Sequence, residues 1–132
     1  MARPALALVI ARADSIGDSL LVLLQSLPQI DKVQRIKSYS AARQLKEQIY
    51  PALVLLDTDL PDRKLIEEVR SIKTGWPQAR IIILVENEAQ QQTARQFGAD
   101  AAFIKGVQAK KLLDAAELLL QSKAGIGSQF SE

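Results

Sequence analysis

Short apolar runs alternate along the chain with longer segments whose apolar residues recur every three or four positions. The runs are ALALVI (5–10), KVQRI (32–36), ALVLL (52–56), RIIILV (80–85) and AAFIK (101–105), and their composition predicts five strands. Three of the five are continuously apolar, as strands covered by helices on both faces must be. Ile16, Leu20, Leu23, Leu24 and Leu27 recur at helical spacing and predict a first helix that Pro28 ends. Ala41, Ala42, Leu45 and Ile49 predict a second helix introduced by Ser40. Leu65, Ile66, Val69 and Ile72 predict a third that stops before Gly75 and Pro77. A shorter, polar fourth helix is expected from about Glu88 to Phe97, with Gly98 where a left-handed cap is wanted. Leu112, Leu113, Ala116, Leu119 and Leu120 mark a fifth.

Strict alternation of strand and helix predicts an α/β fold, a flavodoxin-like three-layer sandwich with a five-stranded parallel sheet in the order 2-1-3-4-5 and five helices. Residues 1–122 are expected to form this one domain, and 123–132, ending in AGIGSQFSE, a frayed tail. No internal repeat or low-complexity segment interrupts the pattern. In such a fold ligands sit beyond the carboxyl ends of the strands, which directs attention to Ala11, Arg12, Ala13 and Asp14, then Asp57, Thr58 and Asp59, then Glu86 and Asn87, then Lys105 and Gly106. An aspartate after the third strand and a lysine after the fifth would converge on one pocket.

Composition narrows the chemistry. The 132 residues, 48% hydrophobic, suit one domain with one core. Seventeen basic and fifteen acidic residues leave a net charge of +2, too little for a global field that would gather nucleic acid or anionic membrane. The basic set Lys32, Arg35, Lys37, Arg43 and Lys46 lacks interleaved aromatics and reads as a solvated face. Cysteine and histidine are both absent, which excludes disulfides, thiolate chemistry, zinc sites of the usual type and a histidine base. No apolar run is long enough to span a membrane, and a cytoplasmic location is expected. The turn after the first strand lacks the Ser/Thr/Gly-rich cradle that a flavin phosphate needs, which sets aside a flavodoxin-like redox enzyme.

The segments ALVLLDTDLPD, WPQARIIILV and QFGADAAFIKG, in this order and spacing, resemble the receiver domain of bacterial two-component response regulators, and the resemblance covers nearly the whole chain. It implies that Asp57 stands at the position that accepts a phosphoryl group from a histidine kinase, and that Lys105 stands at the position that contacts this group. A carboxylate is a competent nucleophile toward phosphorus, and an ammonium offsets charge on the transferred oxygens. Taken alone, Asp57 would read as a polar strand end held by local backbone hydrogen bonds, and Lys105 as a solvated one.

Several positions depart from the family pattern. Where the family carries paired acids that bind magnesium, this chain has Ala11 and Arg12, which leaves Asp57 and Asp59 as a reduced metal set, with Asp14 set toward the first helix as an N-cap. Val85 replaces a small hydroxyl residue and Ala102 an aromatic, while Phe103 should face the other side of its strand. Arg63 and Lys64 replace a glycine-containing turn, Gly106 a proline, and Glu86 would repel a phosphoryl group.

These departures predict a degenerate receiver that is not an enzyme, binds no cofactor or magnesium only weakly, and acts by contact with a histidine kinase or another signalling protein. The alternative is a working phosphoacceptor with an altered metal site. Three further expectations follow. Leu21, Val22 and Leu118 lie outside the core stripes, so a homodimer or protein partner is expected, through the face of helix four, strand five and helix five. The pocket should be held in one state, because Val85 and Ala102 offer a ligand no differential contact. Arg12 should pair with Asp57 in place of the metal.

Overall fold

The computed structural model describes residues 5–11, 17–45, 47–57 and 61–121, with backbone alone for 17–20. In chain order the elements are β1 (Leu6–Ala11), α1 (Gly17–Gln25), β2 (Lys32–Ile36), α2 (Tyr39–Arg43), β3 (Leu53–Asp57), α3 (Asp62–Gly75), β4 (Arg80–Val85), α4 (Glu88–Gln96), β5 (Ala101–Ile104) and α5 (Ala109–Gln121). All neighbouring strands run parallel, in the order β2-β1-β3-β4-β5. This is the predicted sheet. The three continuously apolar runs are its central strands β1, β3 and β4, and the more mixed β2 and β5 are its edges. A central strand meets helices above and below, so its positions are apolar apart from Asp57 and Arg80 at strand ends; an edge strand keeps one flank in water.

Side-chain alternation splits the core into two layers. Val54, Leu56, Ile81 and Ile83 pack with Leu65, Val69 and Ile72 of α3 and Ala94 of α4. On the other face Leu53, Leu55, Ile82 and Leu84 pack with Leu24 of α1 and with Leu112, Ala116 and Leu119 of α5. Each fully buried Leu or Ile contributes about 1.5–3 kcal/mol relative to exposure, so the doubly covered strands carry most of the folding free energy. Phe103 packs with the second layer while Ala102 belongs to the first, as their opposite facing requires.

The second helix differs from its prediction. It spans five residues, and its N-cap is Ser38, whose side chain accepts from Ala41 N–H at 3.2 Å, not Ser40. Beyond it the chain continues in turns, Gln48 N–H and Ile49 N–H both donating to Leu45 O, and Leu45 and Ile49 still reach the first core layer. The apolar spacing was thus satisfied by turns as well as by a helix. The Ile49 carbonyl accepts the Trp76 indole N–H at 2.9 Å, which ties this segment to the end of α3. The first helix ends at Gln25, with Leu24 buried in it and Leu27 buried just beyond it; Ile16, the side chain of Leu20, the tail 123–132 and the boundary at 122 lie outside the described residues. Gly98 has φ +130°, and a Cβ there would stand 3.3 Å from Lys73 Cγ, so both conformation and space favour glycine after α4.

At the amino end of the sheet, Asp100 joins three elements. Its Oδ2 accepts Ile81 N–H at 2.8 Å and Lys73 Nζ at 3.0 Å, and its Oδ1 lies 3.9 Å from Arg80 Nη1. Lys73 also donates to Ala79 O at 3.1 Å.

Candidate functional site

Asp57 is the last residue of β3, flanked in register by Ala11 of β1 and Leu84 of β4. It shares parity with Leu53 and Leu55, so it belongs to the face covered by α1 and α5, at the carboxyl end of the sheet where both neighbours are apolar. Among the described residues it is the one buried charged side chain, 6% exposed. A carboxylate in such a place needs compensation. Lys105, immediately after β5, is drawn alongside β4 by its N–H, which donates to Val85 O at 2.8 Å. Its ammonium reaches Asp57 Oδ1 at 3.5 Å, so the two residues joined by reasoning from the chain do meet.

Glu86 completes the cluster. Its Oε2 lies 2.9 Å from the same Lys105 Nζ, closer than Asp57, and its side chain is half exposed. Glu86 N–H donates to Gln90 Oε1 at 3.0 Å, Gln90 N–H donates to Asn87 Oδ1 at 2.9 Å, and Gln90 Nε2 donates to Asp62 Oδ1 in the first turn of α3 at 3.0 Å. The turn between β4 and α4 is therefore tied both to Lys105 and to α3. Gln91 Nε2 donates to Ala102 O at 2.7 Å, which fastens α4 to β5. Reading the chain did not single out Gln90, Gln91 or Asp62. The QQQ run of a polar helix was the available signal, but glutamine partners depend on what lies across the space.

Val85 and Ala102 are buried in the layer under α3 and α4 and leave neither a hydroxyl nor an aromatic there. Gly106 adopts φ +96°, with Val107 N–H donating to Ile104 O. Proline, fixed near −65°, could not adopt this conformation, so the turn after Lys105 calls for glycine. Arg12, Ala13, Asp14, Thr58 and Asp59 lie outside the described residues, and with them the expected Arg12–Asp57 pair and the part of Asp59 in a metal set.

A magnesium ion does not fit the described residues. Ala11, 1% exposed, stands directly beside Asp57 without an oxygen ligand, and the Lys105 ammonium contacts both nearby carboxylates. No group of three or more acids among the described residues is placed to hold a metal. No helix among the described residues is long and apolar enough to cross a membrane.

Below the cluster, the α4–β5–α5 face carries an open groove of about 570 Å³, lined by Gln91, Ile104, Lys105, Val107, Lys111 and Asp114 among others. Ile104 is exposed at its floor and Leu118 farther along α5; Val22 is exposed on α1, whereas Leu21 is half-buried against the second core layer.

No protein-family model matches the chain. It is 24% identical over 116 residues to the transcriptional regulatory protein MctR of Rhizobium johnstonii, an alignment that covers 86% of this chain and 52% of that protein. The chain thus spans about half the length of this curated relative. Among solved structures it is similar to a LuxR-family two-component response regulator from Aurantimonas sp. SI85-9A1, with a TM-score of 0.77, 21% identity, and 98% of this chain and 94% of that one covered. It is equally similar to the isolated REC domain of RcsB from Salmonella enterica serovar Typhimurium, solved in the presence of the phosphomimetic BeF3−, with a TM-score of 0.77, 16% identity and 93% of each chain covered. The sheet order and the five helices agree with these likenesses: the chain has the fold of a response regulator receiver domain.

Proposed function

We propose that the protein is a degenerate receiver module of a signalling pathway, acting through protein contacts with weak or no phosphorylation at Asp57. The observation that carries this reading is the row Ala11–Asp57–Leu84 at the carboxyl end of the sheet. Phosphoryl transfer relies on divalent cations to neutralise oxygens, and Ala11 beside the carboxylate brings a methyl group where the receiver pattern has an acid. Val85 and Ala102 support the second half of the reading. A group added to Asp57 would find no hydroxyl at Val85 and no aromatic at Ala102 to make contacts that differ between two states, and Gln91 fastens α4 to β5. The signal is carried instead by a surface, and the α4–β5–α5 groove with exposed Ile104 is the face proposed for a second copy, a histidine kinase or another signalling protein. The protein is read as a non-enzyme that needs no cofactor, or magnesium only weakly.

Incubation with acetyl phosphate, with and without magnesium, followed by phosphate-affinity electrophoresis tests the reading. No shifted band is expected in either condition. A magnesium-dependent band lost in Asp57→Asn would replace this reading with that of a working phosphoacceptor, a reading favoured by the approach of Lys105 to a buried Asp57.

A further inference from the structure

Lys105 is shared unequally. Its ammonium makes a charge-assisted contact with Glu86 at 2.9 Å, while Asp57 Oδ1 stands at 3.5 Å, outside the range of such bonds. Glu86 is held for this task by its own backbone: its N–H is taken by Gln90, and Gln90 is anchored on Asp62. We propose that Glu86 is a built-in stand-in for an anionic ligand, a tethered carboxylate that occupies the Lys105 ammonium and so weakens the hold of the pocket on any oxyanion placed at Asp57. Gln90 is the positioning residue that keeps the carboxylate in reach. This rests on the reading of Asp57 and Lys105 as a receiver pocket and supplies its regulation: the pocket is filled from within, independently of any donor.

The competition has a bounded size. An ion pair with one half-exposed partner contributes at most about 1 kcal/mol, which corresponds to about 5-fold in affinity. The test is a titration with beryllofluoride in the presence of magnesium, followed by fluorine NMR, on the parent, Glu86→Gln and the double variant Glu86→Gln/Lys105→Ala. Glu86→Gln keeps the shape and removes the charge at an exposed position, so the fold is retained. Affinity about 5-fold above the parent in Glu86→Gln, lost again in the double variant, is expected. Equal affinity in parent and Glu86→Gln, including no binding in either, overturns the proposal, as does a gain that survives in the double variant. Tight binding by the parent itself speaks against the weak-phosphoacceptor reading instead and leaves the ratio between variants to judge Glu86.

Discussion

The two ends of the sheet carry the same chemistry arranged for different purposes. At the amino end, Asp100 accepts a backbone N–H of β4 and the ammonium of Lys73, and Lys73 in turn donates to a backbone carbonyl. At the carboxyl end, Asp57 is more deeply buried, yet its ammonium partner leans toward a second, half-exposed acid. Asp100 is locked to the main chain of neighbouring elements and serves the fold. In the Asp57–Lys105–Glu86 cluster two carboxylates meet one ammonium, one of them buried and the other half exposed. Burial alone therefore does not distinguish the two acids; the carboxylates and ammonium groups gathered around each do.

Substitutions at the two ends should differ in sign as well as size. Asp100→Ala leaves Ile81 N–H and Lys73 without their acceptor and should cost about 2–3 kcal/mol, read by urea denaturation; a loss below 1 would erase the contrast. Gly106→Ala forces a side chain into positive φ and should cost about 1–2 kcal/mol, with amide shifts centred on Lys105, since open space around the Cβ position makes the penalty conformational. Asp57→Asn should leave stability within about 1 kcal/mol of the parent or raise it, because a buried carboxylate is removed while Lys105 keeps Glu86. A loss as large as that of Asp100→Ala would make both ends structural.

A separate effect, read along pH, belongs to Glu68 of α3, whose partial burial pushes its pKa from 4.5 up to about 7, against a lowering by Lys64. The folded state then binds more protons than the unfolded state across that window, so stability from this group is present below pH 4.5 and falls as pH rises toward 7. Thermal melts of Glu68→Gln should lose that slope. An unchanged slope would show that Glu68 titrates as it does in water.

Much of the site was legible because a strand end has a fixed address. Apolar runs located β1, β3 and β4, and the residue that ends β3 had to emerge at the carboxyl edge of a parallel sheet. The same reasoning puts Lys105 at the carboxyl end of β5. Glu86 was recognised as a neighbour of the pocket and assigned repulsion of a ligand; its bond to Lys105 was not foreseen, since a charge beside a pocket can either repel what enters or bind what lines it. Residues 38 and 40 are both serine, and only the backbone geometry gives the cap to Ser38.

The chain by itself determined the periodicities, and through them the five strands, the sheet order, the two-faced burial of the central strands and the absence of an acid at Ala11. These follow from local rules: alternation at period two, helical spacing, and the need of apolar side chains to leave water. Tertiary structure alone decided which polar groups found one another. That Gln90 spans from Glu86 to Asp62, that Gln91 reaches Ala102 O, and that Lys105 sits nearer Glu86 than Asp57 depend on distances between segments far apart in sequence. A hydrogen bond changes from made to broken over a few tenths of an ångström, a precision set by packing of the whole core and by no local pattern of residues.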